Sequence, residues 1–293
     1  MLRRPPLGHV LESAHDMGRE HKIVSALGPT DMPVAPVFGL CTDVSVNDAP
    51  FYVMGFVEGI VLHGATVAVT IPEEDRWQLG LDTVDVLVRL HRLVPDEVGL
   101  GDLGRKEGYV ARQLRRWSKQ WANSKMREVP EMEQTHGLLE ERMPEQIGAS
   151  IAHGDYRLGN FLVRDARIAA VLDWELCTLG DPLADVGYLL NNWAAPGEDP
   201  PSGTDVTPSA AGGFPGRDEL IERYAAATGR DLSSIAYYRA FSYWRSAAII
   251  EGVYARYVKG AMGSGDIDLT RFEESSPRLA KTALEQIETL RGP

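Results

Sequence analysis

The stretch His153-Gly154-Asp155-Tyr156-Arg157-Leu158-Gly159-Asn160, with Val171-Leu172-Asp173-Trp174-Glu175 after it, organises everything around it. Between the two lies a polar loop, then a strand at Phe161 to Val163, a tight turn over Arg164 to Arg167, and a second strand at Ile168 to Leu172 running into an acidic residue. That pattern predicts a β-hairpin. Singly, the polar residues have plain structural readings. His153-Gly154-Asp155 reads as a turn with a hydrogen-bonded histidine, Asn160 as a loop cap, and Asp173 as the N-cap of whatever follows. Taken together and in this order, they carry chemistry.

Phosphoryl transfer from a nucleoside triphosphate needs a carboxylate to orient the acceptor hydroxyl and hard oxygen ligands to hold magnesium against the phosphates. Kinase catalytic loops supply the first as Asp, a magnesium ligand as Asn further along the loop, and a second metal-binding Asp beyond a short hairpin. Asp155, Asn160 and Asp173 reproduce that order. Asp155 is then the expected catalytic carboxylate, with Asn160 and Asp173 as metal ligands. His153 reads as a brace for the loop, a general-base role being the alternative. Metal-dependent hydrolysis on the same carboxylates is a further reading, although the His-rich ligand set of zinc hydrolases is missing.

Outward from this block the chain is mainly helical. Apolar residues recur at helical spacing from Glu73 to Val94 with Pro72 just before, and again from Lys106 to Asn123, where Arg112, Arg115, Arg116 and Lys119 form a solvated face. Helices are also predicted at Arg217 to Thr228, Ile235 to Tyr257 and Pro277 to Leu290. Residues 196–217, rich in Pro, Gly, Ser and Asp, read as a long loop that gates a pocket. Tyr109, Trp117, Trp121, Trp193, Tyr237, Tyr238, Trp244 and Arg245 either line that pocket or, as helical spacing favours, fill the core; His91 reads as packing. Upstream, a helix is expected from Ser13 to Leu27, then strands at Val34 to Cys41 and Phe51 to Val57 across a turn-rich segment, leading to a linker at Glu58-Gly59.

The 293 residues are 44% hydrophobic and 25% charged, an ordinary globular composition for one large or two modest domains. A net charge of -12 argues against a nucleic-acid footprint, which needs excess Lys and Arg. Cys41 and Cys177 are far apart and in no metal-binding spacing, as expected in a reducing compartment. With no apolar run of signal-peptide or membrane-spanning length, the expectation is a cytoplasmic chain that avoids membranes. No oligomeric state is legible.

HGDYRLGN and VLDWE resemble the signature of the aminoglycoside phosphotransferase (APH) family of kinase-like enzymes, HGDxxxxN, a strand, then (V/I)xD(W/F)E. The resemblance implies an α+β, protein-kinase-like two-lobe fold. A small N-terminal β-sheet lobe and hinge would span residues 1–59, and a larger, mainly helical lobe with the catalytic hairpin and substrate pocket residues 60–293. It implies ATP or GTP with Mg2+, and the hydroxyl of a small molecule as acceptor. Gly180 to Leu190 is similar to the family's acidic segment that steadies the catalytic loop, making Asp181 and Asp185 structural carboxylates. Arg3 falls where the small lobe carries its phosphate-contacting cation, with Arg4 as a rival, and Glu20 on the helix that pairs with it. In FYVMGFVEG, Met54, Phe56 and Val57 fall on the strand and hinge whose backbone would hydrogen-bond adenine.

The openings LRRPPLG and SAHDMGREH and the late YYRAF and YWRSAAIIEGVYAR segments look most like the branch related to kinase domains of acyl-CoA dehydrogenase fusion proteins. The acceptor this implies is a hydroxyacyl-type metabolite, with an aminoglycoside-like compound as the other possibility. The family begins with two further strands and a glycine-containing loop, whereas this chain starts almost on the third strand. A truncated small lobe is therefore expected, with about three strands and an exposed edge. It leaves open a second function, a nucleotide-binding pseudokinase-like module with little or no transfer.

Overall fold

The computed structural model describes residues 1–5, 16–198, 207–260 and 269–290. The chain begins with β1 (Leu2–Arg3), α1 (Met17–Leu27), β2 (Val37–Cys41), the single turn α2 (Val44–Asn47) and β3 (Phe51–Met54). The three strands form an antiparallel sheet in the order β1-β3-β2, Leu2 opposite Val53 and Cys41 opposite Phe51. Alternation along β3 turns Tyr52 and Met54 inward onto Met17 and Ala35, and Val53 outward. The predicted strand to Val57 stops at Met54 because the Gly55 N–H turns to the Pro36 carbonyl at 2.7 Å. A side chain at Gly55 would collide with the Pro36 ring.

Helix α1 starts on Asp16, whose carboxylate accepts the Arg19 N–H at 3.0 Å, a cap worth about 1 kcal/mol. The start expected at Ser13 lies outside the described residues. Met17 joins the small lobe's apolar cluster, while Ile23, Val24 and Leu27 enter the main core, so one helix serves both. Arg19 ties it further, donating to the Cys177 carbonyl at 2.8 Å and to that of Leu103 at 3.1 Å.

The larger lobe follows as β4 (Ile60–Val61), α3 (Ala65–Ala68), α4 (Glu73–Arg92), α5 (Tyr109–Ser124), α6 (Pro130–Glu141), β5 (Ser150–Ala152), β6 (Phe161–Arg164), β7 (Arg167–Val171), β8 (Thr178–Gly180), α7 (Leu183–Asn191), α8 (Arg217–Thr228), α9 (Ile235–Val258) and α10 (Thr270–Glu288). Strands β6 and β7 are the predicted hairpin. Its tip residues Asp165 and Ala166 both have positive φ, 51° and 55°, the left-handed pair that matches the twist of two paired strands. β4 adds to the other edge of β6, and β5 pairs with β8 on either side of the segment that carries Asp155, Asn160 and Asp173. Asp82 of α4 fastens the hairpin by accepting the Ile168 N–H at 2.8 Å.

Behind the hairpin, α7 packs on α9, and α10 lies along α9 and α6. The aromatic residues considered for a pocket, Tyr109, Trp117, Trp121, Trp193, Tyr237, Tyr238 and Trp244, are all buried in this core. The last helix does not begin at Pro277 but runs through it from Thr270. Pro277 breaks the local rule, yet Leu279, Ala280, Ala283 and Ile287 bury a full face, and tertiary packing outweighs the lost hydrogen bond. Helix α6 was not anticipated, although Pro130 at its start and Glu131 and Glu133 in its first turn are the usual entry signals. Among the described residues no helix is long and apolar enough to cross a membrane.

Candidate active site

Strand β5 delivers His153 and Gly154 to the N-terminal end of α7, where Asp185 waits. One Asp185 oxygen accepts the His153 N–H at 2.7 Å and the other the Gly154 N–H at 2.9 Å. The same carboxylate meets His91 Nε2 at 3.3 Å, and His91 Nδ1 lies 2.7 Å from the Tyr224 hydroxyl. Burial opposes charge on Asp185, but the hydrogen bonds from His91 and the loop amides outweigh it and hold its pKa below the usual carboxylate value. Burial pushes His91 down. A neutral His91 fits both contacts, Nε2–H donating to Asp185 and Nδ1 accepting from Tyr224.

His153 has both ring nitrogens committed. Nδ1 accepts the Asp155 N–H at 3.2 Å, and Nε2 donates to the Leu172 carbonyl at 2.9 Å, with Trp174 packed against the ring at 4.7 Å between centroids. The histidine thus joins the Asp155 loop to the Asp173 segment and has no free nitrogen for general-base work. Gly154 has φ +85°, and a Cβ there would sit 2.8 Å from the Leu176 carbonyl oxygen, so the turn requires glycine. Its carbonyl accepts from Arg245 of α9 at 3.0 Å, and Arg245 lies over the Tyr188 ring.

Asp155 and Asn160 are directly bonded. Asn160 Nδ2 donates to the Asp155 carboxylate at 2.7 Å and to its carbonyl at 2.8 Å, and the Asn160 carbonyl accepts the Leu172 N–H at 2.8 Å. The other Asp155 oxygen lies 3.5 Å from Arg157 Nε. Removal from water, and then the Asp155 charge, push the Tyr188 hydroxyl well above its ordinary pKa, so it stays a protonated neighbour. Asp173 sits at φ 64°, ψ 62°, a left-handed conformation costly for a residue with a Cβ and characteristic of functional sites. It occupies the N-cap position of the turn at Trp174–Leu176 but makes no capping hydrogen bond.

Asn160 and Asp173 line a cleft of about 330 Å³ together with Arg3, Glu20, Tyr52 and Met54. Arg3 Nε lies 3.3 Å from Glu20, and the Tyr52 hydroxyl donates to the same carboxylate oxygen at 2.9 Å. Burial works against the Arg3 cation, but Glu20 outweighs it and its pKa moves up. Arg4 is drawn away to Asn47 at 3.2 Å, leaving Arg3 in the cleft. The Met54 N–H donates to the Met1 carbonyl at 2.9 Å, and the Met54 side chain lines the cleft. Phe56 is exposed and Val57 leans on the small lobe's cluster; their backbone groups make no backbone hydrogen bond among the described residues.

On the other side of Asp155 lies a second cavity of about 400 Å³, with Arg157, Tyr188, Ser242, Ile249 and Ile250 in its wall. Ser242 is buried, and its hydroxyl has no hydrogen-bond partner among the described residues. None of these wall residues was given a pocket role from the sequence; Ser242, Ile249 and Ile250 lie within the helix predicted over Ile235 to Tyr257.

Residues 1–238 match the phosphotransferase enzyme family, APH. The chain belongs to the APH phosphotransferase family. It is 34% identical over 290 residues to acyl-CoA dehydrogenase family member 11 of Homo sapiens, covering 97% of this chain and 37% of that protein. To acyl-CoA dehydrogenase family member 10 of Mus musculus it is 34% identical over 288 residues, 96% of this chain and 27% of that one. The chain therefore spans about a third of the length of the curated relatives it matches. Among solved structures, a putative aminoglycoside phosphotransferase from Ralstonia eutropha JMP134 superimposes with a TM-score of 0.84 at 31% identity, over 99% of this chain and 86% of that one. A thermostable mutant of aminoglycoside phosphotransferase APH(4)-Ia, in ternary complex with ADP and hygromycin B, gives a TM-score of 0.61 at 13% identity, over 98% and 94%. That second likeness concerns the fold alone. As an APH phosphotransferase, the chain has the protein-kinase-like two-lobe architecture and is of the fusion-related branch.

Proposed function

We propose that this APH-family chain moves the terminal phosphate of ATP, in the presence of Mg2+, to the hydroxyl of a small molecule of hydroxyacyl type. The observation that carries the reading is the convergence of Asp155, Asn160 and Asp173 between two cavities, one reaching the small lobe and one reaching α9. On this reading residues 1–59 form the nucleotide lobe and hinge, and residues 60–293 the lobe that holds the acceptor.

The donor set fits magnesium. Asn160 uses its Nδ2 on Asp155, which leaves Oδ1 without a hydrogen bond among the described residues, and the Asp173 carboxylate likewise has no hydrogen-bond or ion-pair partner there. No group of three or more His, Cys, Asp or Glu is gathered for a metal among the described residues, so the ion would rely on phosphate oxygens as well. Held by Asn160 and Asp173, magnesium would supply neutralisation of the charge on the phosphates. Arg3, fixed by Glu20 and Tyr52, orients the phosphates from the small lobe. Asp155, fixed by Asn160, accepts a hydrogen bond from the acceptor hydroxyl and aligns it for attack. Phe56 and Val57 offer backbone groups to the adenine edge.

The acceptor cavity favours a neutral or anionic molecule with an apolar portion. Among its described wall residues Asp155 is the only carboxylate, against the Arg157 guanidinium, and Ile249, Ile250 and Leu279 form an apolar side. A polycationic aminoglycoside would find little countercharge. The names of the acyl-CoA dehydrogenase relatives support the same acceptor class.

Titration calorimetry with ATP, with and without Mg2+, tests the nucleotide half. Binding should need magnesium and be lost in Asp173→Ala. A 3-hydroxyacyl-CoA and kanamycin, compared by ADP release, test the acceptor half, with Asp155→Ala abolishing turnover while still binding MgATP. Full turnover in Asp155→Ala, or preference for kanamycin, would overturn the respective half.

A further inference from the structure

The nucleotide cleft and the acceptor cavity meet at one side chain. Among the described residues only His63 and Gly159 line both, and Gly159 has no side chain to contribute. His63 follows β4, which is anchored on the catalytic hairpin by pairing with β6, Val61 opposite Leu162. Leu62 is fully buried beside it, and the His63 N–H closes a turn onto the Val61 carbonyl at 3.0 Å, so the backbone that presents the imidazole is fixed. The ring itself is exposed, and neither nitrogen has a partner among the described residues. A Cβ on Gly159 would lie 3.7 Å from the Leu62 carbonyl oxygen, which measures how closely this turn faces the catalytic loop.

We propose that His63 is a catalytic residue that donates an imidazole N–H hydrogen bond to the phosphoryl group as it passes between the two cavities. The inference rests on the phosphotransferase reading above. In that reaction the bond from the acceptor oxygen to phosphorus forms as the bond between phosphorus and the ADP oxygen breaks. The electron pair of the broken bond leaves with ADP, and the hydroxyl proton goes to Asp155. His63 keeps its own proton. Charge spreads over the three equatorial oxygens of the migrating group, and a donor already aimed at them is worth more there than in water. Asp155, Asn160 and Asp173 approach from the hairpin side. The Arg157 guanidinium is turned onto Asp155. His63, just beyond β4, faces the migrating group from across the junction.

The test needs no acceptor. MgADP binding, with and without aluminium fluoride as a mimic of the migrating phosphoryl group, is measured by calorimetry for the full chain, His63→Ala and His63→Gln. The slow transfer of phosphate from MgATP to water is followed beside it. Because the ring is exposed, both variants should fold. His63→Ala should keep MgADP affinity within about twofold, while the gain from aluminium fluoride and the rate of transfer to water both fall on the order of 10²-fold. His63→Gln, whose amide still donates, should recover part of each loss. Unchanged fluoride gain and unchanged transfer in His63→Ala overturn the inference and leave the phosphotransferase reading standing. An equal loss of plain MgADP affinity also overturns it, since His63 would then be a nucleotide contact only. Absence of MgADP binding and of transfer to water in the unaltered chain would sink the phosphotransferase reading itself, and this inference with it.

Discussion

Asp185 holds the amide of His153 at 2.7 Å and, through its other oxygen, that of Gly154 at 2.9 Å, so a carboxylate on α7 sets the position of a loop that carries Asp155. The arrangement is fully buried and depends on both oxygens being acceptors. Asp185→Asn keeps one acceptor and turns the other into a donor facing an amide N–H. Breaking a buried, hydrogen-bonded charge in this way should cost about 3 kcal/mol of stability. The midpoint of urea unfolding measures it, and turnover should fall further than stability accounts for.

His91 gives that network a pH dependence. Its pKa in the fold is depressed by burial, while an unfolded histidine titrates at about 6.5. The unfolded chain therefore takes up the proton first, and the His91 contribution is complete above about pH 6.5 and declines as the pH falls below it. Asp185, also depressed, adds its own loss only in the more acidic range, below about pH 4. Asp185, Tyr224 and Arg230 surround the ring, and Asp181 acts on it at longer range. Unfolding midpoints between about pH 5 and 8 should slope less in His91→Gln than in the unaltered chain. Equal slopes would remove His91 from the account.

Arg3 and Glu20 lead to a prediction about affinity alone. Arg3 is half-buried and touches Glu20 from the cleft side, whereas Glu20 is also held by Tyr52 from within the small lobe. Arg3→Met should raise the KM for ATP about tenfold, roughly 1.4 kcal/mol, with little change in melting temperature. Glu20→Ala should do both, because Tyr52 is then left buried without its acceptor.

The legible parts of this chain were those whose signal is local. The hairpin could be read because its two apolar runs flank a turn, whereas Arg3 and Glu20 were singled out only through the resemblance to the family. Asp185 was recognised as a brace from its segment, and the fold bears this out in two hydrogen bonds. What escaped was set by long-range contact. β4, β5 and β8 are two or three residues long, too short to show a period of two, and exist because a partner strand lies alongside. His63 has no motif around it and is singled out only by where β4 is paired. Ser242 shares helix α9 with buried aromatics, and only the cavity distinguishes its hydroxyl from packing.

Gly154 separates the cost of a left-handed backbone from that of a close approach. Gly99 has φ +77°, near the +85° of Gly154, but open space where a Cβ would go. Gly99→Ala should therefore cost only the conformational penalty, about 1 kcal/mol, and leave activity alone. At Gly154 the same penalty applies, and a Cβ would also meet the Leu176 carbonyl oxygen at 2.8 Å and the Leu176 Cβ at 2.9 Å. Neither atom can swing aside as a flexible side chain would. The loop must shift, adding about 1–3 kcal/mol and moving the Asp155 carboxylate that follows directly in the chain. Turnover in Gly154→Ala should fall by on the order of 10²-fold, the scale on which small misplacements of reacting groups are felt. Denaturation midpoints and kcat for both variants check this. If the two substitutions cost the same stability and neither lowers kcat, the loop is not held as tightly by Leu176 as its geometry requires.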